Sequence, residues 1–288
     1  MIEEEVEAGT PTPHAGARRA TPDLFERMED RVLISVPARH NPALATIIER
    51  VNEDTDLYAL WLAANINAVD RLRMSDHGPV HVQIVANSAL RILRLLLDGG
   101  VVPSVVGDYG LTDKDAEVVV VLAALVHDLG ISIHRDGHEA YSLFVAQPKL
   151  RELLDGVYDP PVDTILRSEI LHAVIAHRAG GEPRTLEAGI LKVADALDMA
   201  EGRSRIPFEA GSMSIHSVSA AAIEAVHIEP GEATPVRVRI DMTNSAGVFQ
   251  VDQLLRKKLR GSGLERYLQV EAHIEGETEK RLVEHFEL

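Results

Sequence analysis

The 288-residue chain carries 29 basic against 45 acidic side chains, a net charge of −16, and no cysteine. The charge opposes long nucleic acid or an anionic membrane as the main partner, and the lack of thiols excludes disulfides, thiolate metal sites and cysteine nucleophiles. No apolar run reaches the roughly 18 residues of a bilayer span, and the acidic start Met1-Ile2-Glu3-Glu4-Glu5 is unlike a signal peptide, so the expected location is the cytoplasm.

Residues 1–22 mix Glu, Pro, Thr, Gly and Ala without periodicity and are expected to form a mobile tail. Over 42–72, Leu44, Ile47, Ile48, Val51, Leu57, Leu60, Trp61 and Ala64 recur at helical spacing. Asp76-His77-Gly78-Pro79 breaks that pattern, and Pro79 suits the first position of a helix that stops at Asp98-Gly99-Gly100. Thr112 and Asp115 read as a capping box for the next helix, which delivers His127-Asp128 and is expected to end at Gly130. Further helices are expected at 138–147, 162–179 and 184–201, so that 23–207 is all-α.

The pattern changes after Pro207. Residues Pro235 to Met242 and Leu268 to Ile274 alternate as half-buried strands do, with weaker strand candidates at Ser214–Val218 and Ile223–Ile228. Val248, Val251, Leu254, Leu255 and Leu259 form one helical stripe ending at Gly261. The expected fold class is α+β: an all-α bundle over 23–207 and a small α+β unit over 208–288 that dimerises, caps the site or senses a ligand.

His127-Asp128 ends the apolar run Val118 to Val126. Two ionisable groups buried there cost several kcal/mol, about 2–7 for even a neutral polar group, unless paired. A divalent metal pairs with a neutral imidazole and a carboxylate together. Seven of the thirteen histidines lie between 77 and 177: His77, His81, His127, His134, His138, His172 and His177. His134 sits in a polar turn and reads as a surface residue. His172 and His177 are about 140° apart on a helix, so one of them points inward. Asp195 and Asp198 share a face, and either serves as a ligand. Asp70 and Asp76 read as groups that solvate helix ends.

The ordered set His81, His127-Asp128, His138, His177 and Asp195 resembles the HD-domain superfamily of metal-dependent phosphohydrolases, in its six-ligand, two-metal variant. The stretch Ala194 to Arg205 resembles a little-characterised prokaryotic branch, and the chain lacks the Gly-Tyr-Pro signature of the cyclic-dinucleotide phosphodiesterases. The gap from Asp128 to His138 is short. Without His138 and His177, the remaining four residues match the one-metal variant. The resemblance implies an HD-type helical bundle and two divalent transition-metal ions, with Mn, Fe, Co, Ni and Zn as candidates. It also implies that Asp128 bridges them, and that a metal-activated water hydrolyses a small phosphomonoester or phosphodiester such as a nucleotide.

Such chemistry needs cationic donors for phosphate oxygens. Lys192, one turn before Asp195, is the candidate on the cleft side; Arg135, Arg178, Arg203 and Arg205 are the others. His77 is a candidate outer ligand or proton donor. The expected partners are a small phosphorylated substrate and a second copy of the chain in a homo-oligomer, a dimer. Two other readings stay open: a di-iron oxygenase of the same superfamily, and a nucleotide-binding sensor without turnover. A Gly-rich phosphate loop and a Gly-x-Ser-x-Gly elbow are both absent.

Overall fold

A computed structural model describes residues 30–199 and 221–274, together with Met28 and Ser219. The expected tail at 1–22, the strand candidate Ser214–Val218, Arg203 and Arg205 lie outside the described residues. Helices come first: α1 (Pro42–Glu53), α2 (Thr55–Asn65), α3 (Pro79–Asp98), α4 (Ser104–Tyr109), α5 (Asp113–Val126), α6 (His138–Leu154), α7 (Val162–Ala176) and α8 (Leu186–Leu197). Then follow β1 (Ile223–Pro230), β2 (Val236–Met242), the short helices α9 (Val248–Gln250) and α10 (Arg256–Leu259), and β3 (Leu268–Ile274). The fold is α+β, helices first and a small sheet last.

Helix α5 is the axis of the helical part. Thr112 Oγ1 and the Asp115 carboxylate form the expected capping box at its start. Every residue from Ala116 to Val126 is buried, which requires neighbours on all sides. Helices α1, α3, α4, α6, α7 and α8 all touch it. The last carbonyls of a helix have no partner within the helix. Here Trp61 Nε1 donates to Leu125 O at 2.8 Å, and His127 Nδ1 donates to Ala124 O at 2.8 Å. Polar satisfaction of the helix end thus fixes the histidine ring.

The expected helix end at Gly130 is corrected. Helix α5 stops at Val126, His127 is its cap, and a 3-10 turn (Leu129–Ser132) follows. Gly130 is required by packing, since a Cβ there would meet His138 O at 2.1 Å and Ser142 N at 2.4 Å. This close approach seats α6 against the His-Asp pair. Ser142 Oγ locks it by donating to His127 O at 2.6 Å and accepting from Gly130 N at 2.8 Å.

Other boundaries shift too. Helix α6 runs through Pro148 to Leu154, because Leu150, Leu153 and Leu154 are buried. Helices α7 and α8 stop at Ala176 and Leu197, short of 179 and 201. Helix α4 was not expected. By length and composition α3 also qualifies as a membrane-spanning candidate, against the expectation from apolar runs, and 56% of its apolar window is buried.

Strand β2 is central in the sheet, antiparallel to β1 and parallel to β3. Val236, Val238, Ile240 and Met242 are buried as the alternation predicts, but Asp241 is buried too and breaks it at the end of the strand. A parallel pair needs a crossover, and α9 and α10 lie on it. Strands β1 and β2 touch α3, and α10 touches α8. The crossover thus reaches the helix that carries Asp195.

Candidate metal centre

The centre forms where the C-terminal end of α5 meets the starts of α3 and α6, the end of α7 and the last turns of α8. His77, His81, His127, Asp128, His138, His177, Asp195 and Asp198 are all buried. Asp76 prepares the start of α3: its Oδ1 accepts from Gly78 N at 3.1 Å and His81 N at 3.3 Å.

The Nδ1 of each ring is tied back. His77 Nδ1 donates to Ser75 O at 2.7 Å, His127 to Ala124 O, and His177 to Val174 O at 2.6 Å. His81 Nδ1 donates to Asp198 Oδ2 at 2.6 Å. A proton on Nδ1 leaves the lone pair on Nε2, so these four rings present acceptors inward.

The inward nitrogens converge. His81 Nε2 and His127 Nε2 are 3.3 Å apart, and His138 Nε2 and His177 Nε2 are 3.2 Å apart. Facing lone pairs repel unless a proton or cation lies between them. Asp128 stands between the two pairs. Its Oδ2 lies 3.5 Å from His81 Nε2 and 3.2 Å from His127 Nε2, and its Oδ1 lies 3.1 Å from His138 Nε2 and 3.7 Å from His177 Nε2. Asp195 Oδ1 faces the first pair, 3.5 Å from His81 Nε2 and 3.8 Å from His127 Nε2.

Donors bonded to one ion at about 2.1 Å lie roughly 3–3.5 Å apart, which fits these contacts except His177–Asp128 at 3.7 Å and His127–Asp195 at 3.8 Å. His81, His127 and Asp195 form one group able to hold an ion, and His127, Asp128 and His177 another. His77 Nε2 is more distant, 3.9 Å from Asp128 Oδ2.

The electrostatics match an ion-binding cluster. Burial alone lowers the pKa of His127, but the Asp128 and Asp195 carboxylates outweigh it and raise the value to about 10. Burial and the charge on His127 push His177 down to about 3. Burial would raise Asp128 and Asp195, yet the surrounding histidines, and Lys258 for Asp195, hold both well below the ordinary carboxylate value. One ring thus takes a proton where a metal would supply the charge.

His138 differs from the others. Its Nδ1 lies 3.1 Å from Arg135 O and 2.7 Å from Arg135 Nη1. A guanidinium only donates, so the two contacts demand opposite tautomers. The carbonyl partner frees Nε2 for a metal; the guanidinium partner leaves the proton on Nε2, facing Asp128.

Among the other candidates, Lys192 is buried and its Nζ donates to Gly181 O at 2.8 Å. Arg178 is exposed and pairs with Glu139 at 3.0 Å. His134 is exposed, and His172 Nε2 accepts from Arg184 N at 2.9 Å. Asp198 holds His81, and Asp195 faces the centre.

Lys258 on α10 escaped sequence reasoning. It is buried, and its ammonium pairs with Asp195 Oδ2, while Asp195 Oδ1 faces His81 and His127. The available signal was compositional: Lys257 and Lys258 are adjacent in a chain with six lysines.

Comparison with known proteins matches the HD domain model to residues 80–200. The chain is also 40% identical over 214 residues to the uncharacterized protein MJ1020 of Methanocaldococcus jannaschii, covering 74% of this chain and 83% of that one. The matched region contains the donors from His81 to Asp195. The chain belongs to the HD-domain family.

Proposed function

We propose that this protein is a metal-dependent phosphohydrolase that cleaves a small phosphate ester. The observation that carries the reading is Asp128, whose two oxygens face two separate pairs of imidazole nitrogens. A carboxylate so placed would serve two ions at once. Asp128 would bridge, His81, His127 and Asp195 would hold one ion, and His138 and His177 the other. Mixed imidazole and carboxylate donors suit Mn, Fe, Co, Ni or Zn over Mg. When bound, the metals supply charge for the phosphoryl oxygens and lower the pKa of a water.

The chain's own residues prepare this chemistry. Backbone carbonyls and Asp198 hold the imidazoles in the acceptor tautomer. His77 is buried near Asp128; as an imidazolium, with Nδ1–H kept on Ser75 O, it would pass its Nε2 proton to a leaving alcohol. Arg135 stands beside His138 as a cationic donor for substrate oxygens. The partner is a small phosphorylated molecule, with nucleotides among the candidates, and the assembly is a homo-oligomer, a dimer. The net charge of −16 disfavours long nucleic acid.

The test is elemental analysis of the purified protein together with a phosphoester panel in Mn, Co, Ni, Zn and Mg. Two bound ions and turnover of at least one ester are expected. A mixed-valent di-iron signal without ester turnover would favour the oxygenase reading instead. Tight nucleotide binding without turnover in every metal would favour the sensor.

A further inference from the structure

We propose that Lys258 is the residue that binds the substrate's anion, gripping a phosphoryl oxygen beside the metal ligands, and that the substrate is a phosphomonoester. The inference rests on the hydrolase reading and deepens it: the C-terminal crossover completes the substrate site.

Position is the first argument. Lys258 is 8% exposed, and few lysines are buried unless something anionic holds the charge. Its partner is Asp195 Oδ2, while Asp195 Oδ1 faces His81 and His127. The ammonium therefore sits at the edge of the donor set. Lys192, the other buried lysine nearby, has its ammonium on Gly181 O and is committed to that loop.

Charge is the second argument. Two dications set against the three carboxylates Asp128, Asp195 and Asp198 leave one positive charge, and Lys258 makes it two. Arg135 and Glu139 both flank His138 and offset each other. A buried excess of this kind calls for an anion. The two charges of a phosphomonoester offset it better than the single charge of a diester.

The third argument is the approach. Lys258 belongs to the run Arg256-Lys257-Lys258-Leu259-Arg260, and Arg256, Lys257 and Arg260 are exposed. In a chain of net charge −16 this is a local positive patch that draws small anions toward the edge where Lys258 stands.

The experiment uses metal-loaded full-length protein and inorganic phosphate as the probe, with calorimetry for affinity and elemental analysis for metal content. Lys258→Met is expected to keep both ions and lose phosphate affinity by about 10- to 100-fold, the loss of one charged hydrogen bond. Lys258→Arg should recover part of that loss, and Lys114→Ala, at an exposed lysine at the start of α5, should stay within about threefold of wild type. Lys258→Gln, which keeps a donor for Asp195 without the charge, gives the same reading if the methionine variant does not fold. Unchanged phosphate affinity in Lys258→Met overturns the assignment, as does loss of metal in that variant or a metal-loaded wild type that binds no phosphate. A wild type that binds phosphate through Lys258 yet hydrolyses no ester leaves the assignment standing and removes the hydrolase reading.

Discussion

His81 and Asp198 lie 117 residues apart and meet through a 2.6 Å hydrogen bond from Nδ1 to a carboxylate oxygen. The bond fixes the ring so that the His81 Nε2 lone pair faces the space shared with Asp128 and Asp195. Outer partners of this kind are worth about 10- to 100-fold in metal affinity. Asp198→Ala should weaken metal binding by roughly that factor. Titration against a fluorescent chelator measures it; wild-type affinity in the variant would show that the ring needs no orienting partner.

Asp128 faces both imidazole pairs, so its loss touches two ions at once. Asp128→Ala should remove metal and ester hydrolysis together. A variant that retains full activity would sink the mechanism.

Gly130 packs under the start of α6. Gly130→Ala drives a methyl into two backbone atoms, at 2.1 and 2.4 Å, which flexible side chains cannot relieve. The cost should reach about 3 kcal/mol, the upper range for overpacking, or roughly 10 °C in Tm for a chain of this size. Gly180→Ala is the control, since nothing lies within 4 Å of a Cβ there and its φ is not left-handed. Equal melting temperatures for the two variants would refute this account of the turn.

The pKa of His127, raised to about 10 without metal, sets a pH dependence for loading. Below that value the metal-free ring carries a proton that must leave before Nε2 can coordinate. Protons therefore compete with metal, and affinity should rise about tenfold per pH unit between pH 7 and 9. His177, down at about 3, contributes no proton over this range. Calorimetry in buffers of different ionisation enthalpy should detect release of about one proton at pH 7.5. No release would mean that His127 is already neutral.

The helical part can be read from the chain because its signals are local, whereas the set of six donors rests on the family resemblance. An apolar run ending in His127-Asp128, a capping box at Thr112 and Asp115, and periodic apolar residues each depend on near neighbours. What escaped depends on tertiary contact. Gly130 resembles a helix stop, but its need comes from the backbone of His138 and Ser142. Helix α4 has six residues, too few for a period to show. Asp198 and Asp195 share a face, and only the position of His81 separates their roles. Lys258 reaches the centre because the crossover packs on α8, which no pattern around residue 258 announces.

The parallel pairing of β2 and β3 has a consequence for portability. Joining the two strands in one direction requires the excursion that carries Lys258 to Asp195. Strand order at one edge of the molecule therefore sets the charge of a cluster built by other elements. Transplanting α3 to α8 onto another scaffold would carry over all six donors, yet leave Asp195 without the ammonium behind it. The metal cluster is not a self-contained cassette, and a graft that ignored the sheet would make a chelator with a different appetite for anions.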